Sequence, residues 1–394
     1  MSATIILDPS SIHDVLEALA RQAGFAAAGI APVPAPGSAE DLEERRRFAA
    51  WVDAGHAGQM EYLKRRDESE ELLRSSVRVA LPWARSVIVC AANYNSDQPR
   101  SIDPSPDGSG WIARYAFTGK PSPGQIEGEA ECPSDYHRVL LPRLKELRDQ
   151  LTTQLGPFES RCFVDTGPVV ERVYARYAGI GWIGKNTCIL NEQLGSWLFL
   201  GVIVTSLDVA ATDSRRAQLP PDRCGSCTRC IDSCPTGALI APRQMDATRC
   251  ISYLTIEKRG DIPEDLRPGI GRQIFGCDIC QDVCPWNRRA PIGADPELAP
   301  RTALVNPALE WLAAMDETGF ARWFNGSPIK RAKFSGFRRN LATAMGNSGQ
   351  PRFLPMLRQW SEDGDSVLAE TARWAVENLQ REDAGDAPTP IDRP

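Results

Sequence analysis

The stretch from Cys224 to Cys284 constrains this chain more than any other. Cys224, Cys227, Cys230 and Cys234, the last followed by Pro235, are spaced C-x2-C-x2-C-x3-C-P. Cys277, Cys280 and Cys284, followed by Pro285, repeat C-x2-C-x3-C-P, and Cys250 stands between the two runs. Two-residue loops let successive thiolates converge on one cubane, and the proline after each last cysteine turns the chain away. In a run of this kind the fourth cysteine serves the other cluster. The spacing assigns Cys224, Cys227, Cys230 and Cys284 to one 4Fe-4S cluster, and Cys234, Cys250, Cys277 and Cys280 to a second. Paired zinc knuckles use a different spacing, and disulfides are unusual in a chain of 394 residues without a secretory signal.

The remaining composition is that of a globular protein of two or three domains, 42% hydrophobic and with no apolar run long enough to span a bilayer. Asp8, His13, Asp14 and Glu17 near the N-terminus exclude a secretory signal of the usual pattern, so a cytoplasmic protein with no membrane partner is expected. A net charge of -6 argues against a generally basic, nucleic-acid-coating surface. Only His13, His56 and His137 offer imidazoles. Cys90, Cys132, Cys162 and Cys188 lie outside the cluster stretch, and Cys90 and Cys162 sit in apolar runs that read as buried packing.

Apolar spacing predicts helices over 11–29, 41–54 and 135–155, and strands over 86–92, 161–164 and 196–205. Residues 97–134, rich in Pro, Gly and Ser, read as an extended surface loop. Three glycines at 179, 181 and 184 allow the backbone to approach something large and flat. After Pro285 the pattern is helical. Residues 318–361 hold eight basic and no acidic side chains, among them Lys330, Arg331, Arg338 and Arg339, interleaved with Trp323, Phe324, Phe334 and Phe337. That mixture suits RNA backbone and unstacked bases, and equally a solvated helix face over an aromatic core. The expected class is α+β. An α/β-type catalytic domain over 1–215 precedes a ferredoxin-like two-cluster domain over 216–290. A helical HEAT-like region over 291–380 and a disordered tail over 381–394 follow.

Five segments carry a more specific resemblance. Val164-Asp165-Thr-Gly-Pro, Ala178-Gly-Ile-Gly-Trp-Ile-Gly-Lys-Asn, Gly195-Ser-Trp-Leu-Phe-Leu-Gly, Arg249-Cys-Ile-Ser-Tyr-Leu-Thr-Ile-Glu257 and Gly276-Cys-Asp-Ile-Cys-Gln-Asp-Val-Cys-Pro-Trp-Asn287 resemble epoxyqueuosine reductases, in order along the chain. The resemblance implies reduction of epoxyqueuosine to queuosine at the wobble position of tRNA. It also implies two 4Fe-4S clusters, a base-off cobalamin and an external electron donor. On the matching segments it places Arg74, Asp165, Ile189, Leu200, Ser252, Cys277 and Asp278 around the corrinoid, with Asp165 as proton donor. Such an acid must be desolvated to hold its proton near neutral pH. Lys330, Arg331, Arg338 and Arg339 are the expected tRNA contacts, and a monomer is expected.

One departure stands out. Arg114-Tyr-Ala116 is separated from Asp135-Tyr-His137 by an insert, Phe117 to about Cys132, where the family is compact. The insert reads as a surface loop, or as a lid over the tRNA entrance. A reductive dehalogenase would share the corrinoid and two-cluster plan, but would carry an export signal and a tyrosine donor. A ferredoxin-like electron carrier would not need the long segment that precedes Cys224.

Overall fold

The computed structural model describes residues 9–120, 132–208 and 219–383. Most of the insert and the tail beyond residue 383 lie outside the described residues.

α1 (Pro9–Gln22) buries Leu16, Leu19 and Ala20 and leaves Glu17 and Arg21 exposed. Past a left-handed turn at Gly24 the chain enters β1 (Ala27–Pro32), a strand where the apolar pattern predicts continued helix. α2 (Ala39–Asp53) begins at Ser38, whose hydroxyl accepts the Asp41 N–H. Glu40 and Asp41 follow in the first turn, where the helix dipole favours them. β2 (Ser86–Asn93), α3 (Tyr136–Leu155), β3 (Ser160–Phe163), α4 (Glu171–Tyr177) and β4 (Leu198–Thr205) complete the first half.

The four strands form one sheet in the order β1-β2-β4-β3, antiparallel throughout. This corrects the α/β-type expectation for 1–215. Local pattern fixes where strands lie, while their direction is set by the long excursions between them. Ile88, Cys90 and Ala92 face α1 and α3 together with Leu140 and Leu144. Val87, Val89 and Ala91 face α4 with Val202 and Val204. Covered on both faces, β2 shows no polar alternation. Gly201 admits α3 to the sheet: a Cβ there would stand 2.7 Å from Leu144 Cδ1.

The stretch 97–134 is not simply a surface loop. Trp111 and Ile112 are fully buried and pair in parallel with Gln273–Phe275. α5 (Ile251–Ile256), α6 (Glu317–Phe324), α7 (Lys333–Gly346), α8 (Leu354–Trp360) and α9 (Ser366–Asp383) follow. One apolar core joins Trp111, Phe117, Phe275, Phe324, Phe337 and Leu357, across the boundaries expected at 215 and 290. The irregular segment is buried by its partners rather than by a period of its own. Phe324 and Phe337 are core residues, with Trp323 and Phe334 packed against them, so these four are not free stacking platforms. α9 runs past the expected tail boundary to Asp383. Among the described residues no helix is long and apolar enough to cross a membrane.

Candidate active site and cluster centres

Two sets of cysteines converge beside the sheet. Cys230 feels Cys224 and Cys227, and Cys284 feels Cys224 and Cys230. Cys277 feels Cys250 and Cys234, and Cys280 feels Cys277 and Cys250. Burial pushes the Cys284 thiol up to about 11 and the Cys277 thiol well above its ordinary range. Bare thiolates are disfavoured there, and positively charged iron would offset that cost. Among the described residues no three His, Cys, Asp or Glu side chains close on a single metal ion. A cubane needs a wider set, because each thiolate binds a different iron. The donor chemistry therefore fits two clusters. Cys188, a ninth thiol outside the motif, lies beside Cys280.

The glycine-rich segment serves this region. Trp182–Ile183 pairs with Ile189–Leu190, and Trp182 meets Trp286 edge-on at 5.0 Å beside Cys284 and Cys224. Gly181 allows close approach not to a ligand but to the chain itself: its Cβ would stand 2.1 Å from the Leu190 carbonyl oxygen. Lys185 Nζ donates to the Gly225 carbonyl at 2.7 Å, tying the catalytic half to the first cysteine loop.

Between α2, α4 and the cluster region lies a cleft of three connected lobes. The inner lobe, about 530 Å³, is lined by Phe48, Trp51, Arg74 and Tyr174. The middle lobe, about 640 Å³, holds Tyr62, Tyr94, Asp165, Glu171 and Leu200. The outer lobe, about 1210 Å³, is lined by Tyr136, His137, Cys250, Ser252, Lys330 and Arg331. Arg74 lines all three, with its guanidinium 5.5 Å from the Tyr62 ring centre. Arg331 approaches the same ring at 5.4 Å and binds Glu257 at 2.5 Å.

Asp165 stands at the junction of the middle and outer lobes, with a left-handed φ of 55° just past the end of β3. A non-glycine residue held there costs on the order of 1–2 kcal/mol, which the surrounding packing must offset. The Tyr136 hydroxyl donates to Asp165 Oδ2 at 3.0 Å. Tyr136 stacks on Phe199 at 4.3 Å, and Phe199 on Tyr94 at 4.2 Å, so the phenol is fixed in place. Asp135 caps α3 by accepting the His137 N–H at 3.0 Å and binds His137 Nδ1 at 2.6 Å. Burial opposes ionisation of Asp135, but its bonds to His137 outweigh that and lower its pKa. The Asp135-Tyr136-His137 segment thus reaches the cleft despite the insert.

Of the residues expected around a corrinoid, Arg74, Asp165, Leu200 and Ser252 line the cleft. Ile189 does not; it lies in the apolar core under α4. Asp278 does not either, being 2% exposed and accepting the Trp111 Nε1–H at 3.1 Å and the Arg114 backbone N–H at 2.6 Å. Cys277 is enclosed with Cys250 in the apolar cluster around Ile251 and Leu254. Lys330 and Arg331 stand on the outer lobe. Arg338 is tied to Asp363 at 2.8 Å and stacks over Trp360 at 5.1 Å. Arg339 is a correction: it is 2% exposed, donating to the carbonyls of Leu254, Lys258 and Gly260 at 2.7–2.9 Å. Its charge locks α7 to α5, beyond reach of a ligand. Glu171, Tyr62, Arg138 and Arg161 line the cleft without any motif to announce them.

Two thiol sets, one of them opening through Cys250 onto a cleft that carries an oriented carboxyl, define a two-cluster iron–sulfur oxidoreductase. Residues 223–287 match the 4Fe-4S double cluster binding domain, and residues 74–166 match the family described as epoxyqueuosine reductase QueG, DUF1730. The epoxyqueuosine reductase of Xanthomonas campestris pv. campestris is 37% identical over 94% of this chain and 96% of its own length. That of Vibrio cholerae serotype O1 is 35% identical over 96% and 95%. An epoxyqueuosine reductase solved with a tRNA-Tyr epoxyqueuosine-modified stem loop superposes with a TM-score of 0.77 at 28% identity, covering 94% of this chain and 91% of that one. A Bacillus subtilis epoxyqueuosine reductase, described with its catalytic aspartate loop swung out of the active site, superposes with a TM-score of 0.77 at 27% identity. It covers 96% of this chain and 93% of its own. The chain belongs to the epoxyqueuosine reductase family.

Proposed function

We propose that this chain reduces epoxyqueuosine to queuosine at the wobble position of tRNA, with a base-off cobalamin in the cleft and Asp165 as proton donor. The observation that carries the reading is Asp165, held by Tyr136 in the same cleft wall into which Cys250 opens. The cleft has room for a large group in addition to a nucleoside. Its outer lobe alone, at about 1210 Å³, exceeds the usual range of small-molecule pockets. Trp51, Arg74, Leu200 and Ser252 would hold the corrinoid. When bound, the clusters and corrinoid together supply low-potential electrons for two-electron reduction of the epoxide.

The side chains do the remaining work. Tyr136 orients the Asp165 carboxyl, and Asp165 gives its proton to the epoxide oxygen; two electrons and a second proton complete cleavage of the C–O bonds and release the oxygen as water. The stack of Tyr94, Phe199 and Tyr136 keeps that side of the cleft apolar. Lys330 and Arg331 at the rim would meet phosphates of the anticodon loop, carried there by a helical region that we read as a single HEAT-like pair. In this reading the enzyme is a cytoplasmic monomer served by an external electron donor.

The test is anaerobic purification with cobalamin supplied, followed by metal analysis and an assay on tRNA carrying epoxyqueuosine. About eight irons and one cobalt per chain, with conversion to queuosine, is the expected result. Iron without cobalt in an active protein would overturn the corrinoid assignment.

A further inference from the structure

Reducing an epoxide to an alkene and water consumes two electrons and two protons. Asp165 carries one proton at a time, so a second must reach the cleft in each turnover. The tyrosine beside it is not the source. Burial, reinforced by the Asp165 charge, pushes the Tyr136 hydroxyl well above its ordinary range, so it holds its proton as a donor. His137 is engaged by Asp135 at 2.6 Å.

Glu171 remains. It opens α4 shortly after Asp165 in the chain and lines the same middle lobe. Its Oε1 is buried with no hydrogen-bond partner among the described residues. Facing it are Asp165 from the loop after β3, Arg74 from the segment ahead of β2, and Arg172 on its own helix. Tyr62, Tyr94, Tyr115, Tyr136 and Arg243 complete the titratable lining of the lobe. Burial first, then the negative charge of Asp165, raises the Glu171 carboxyl to about 7; its own backbone N–H and the two arginines oppose the rise without cancelling it. A buried carboxylate oxygen without a partner is costly, and protonation relieves it. Glu171 and Asp165 line one lobe, so a proton held on the first has a short way to the second.

Resting on the reduction assigned above, we propose that Glu171 is a proton relay that recharges Asp165 within the turnover. Asp165 protonates the epoxide oxygen and becomes ionised. Glu171 then passes its proton to Asp165, which delivers the second proton as two electrons complete cleavage of the C–O bonds. The oxygen departs as water, and solvent returns the two protons consumed. Glu171 acts through Asp165 and does not touch the substrate.

The experiment compares Glu171→Gln and Glu171→Asp with the wild-type holoenzyme. Glu171→Gln is expected to lower kcat about tenfold or more at pH 7, to leave KM for the tRNA and the iron content unchanged, and to abolish the limb of the pH profile near 7. Glu171→Asp is expected to restore most of kcat and the limb. Infrared difference spectra of the substrate-free protein supply a readout independent of turnover. Wild type should lose a protonated-carboxyl carbonyl band as pH rises through about 7, and Glu171→Gln should lack that band. An active wild type whose Gln variant keeps the same pH profile, or the same band, would overturn the relay. A wild type that shows the band but does not reduce epoxyqueuosine in tRNA would overturn the function on which the relay rests.

Discussion

The Tyr136 hydroxyl donates to Asp165 Oδ2 at 3.0 Å, from a ring stacked on Phe199 at 4.3 Å and against His137 at 4.0 Å. The bond joins the start of a helix to a strained turn after β3, and it aims the acid. Tyr136→Phe keeps the stacking and loses only the bond. A fall in kcat of about 3- to 10-fold is expected, from a net hydrogen-bond worth of about 0.5–1.5 kcal/mol. Steady-state kinetics with iron analysis check it, and unchanged kcat would show that the turn holds Asp165 unaided.

Asp165→Asn preserves size and can still accept from Tyr136, but it has no acidic proton to give. Turnover should fall about 100-fold or more while tRNA binding and iron content persist. Near-normal turnover would exclude Asp165 as the donor.

Cys234→Ala and Cys280→Ala each remove one ligand of the same proposed cluster. Iron should drop from about eight to about four per chain, and reduction should stop. A variant that retains the full iron content would refute the division of ligands between the two sets.

Lys330→Gln with Arg331→Gln should weaken tRNA binding and flatten its dependence on salt by about one to two units of slope. Arg339→Ala should behave differently. It leaves three carbonyl oxygens, the buried one of Leu254 among them, without their donor and empties a buried site, so a loss of about 2–4 kcal/mol of stability is expected. Thermal unfolding separates the two effects. A stable Arg339→Ala protein with weakened tRNA affinity would return that residue to the surface.

Glu171 also makes stability depend on pH. Its folded carboxyl, near 7, lies above the ordinary 4.5, so the unfolded chain loses this proton first as pH rises. Its contribution therefore falls between about pH 4.5 and 7 and is flat above. Glu171→Gln should remove that fall and gain up to about 3 kcal/mol over wild type at pH 8, from the rise at about 1.4 kcal/mol per pH unit. Denaturant unfolding at pH 6 and pH 8 checks the sign. An equal effect at both would show that the gain has another origin.

Much of this protein was legible in one dimension. The cysteines of each run are separated by only two or three positions, so the double-cluster motif is visible in the chain itself. β2, β4 and α3 were readable because burial on both faces, or on one helical stripe, leaves an apolar pattern in the chain. Asp165 drew attention only through the motif around it, since a carboxylate on a turn is commonplace.

The tertiary structure decided the rest. Arg339 and Lys330 look alike in a basic run, yet one is buried on backbone carbonyls and the other stands at the cleft rim. Trp111 and Ile112 sit among prolines and glycines, and only pairing with Gln273–Phe275 buries them. Glu171 reads as an ordinary first-turn acid until folding sets it in one lobe with Asp165 and Arg74. The sequence by itself determined the double-cluster cysteine motif and the main elements, because those depend on spacing and periodicity over short stretches of chain. Which charges are buried, which strands run against each other and which acids share a lobe depend on packing between distant segments, and no local pattern records that.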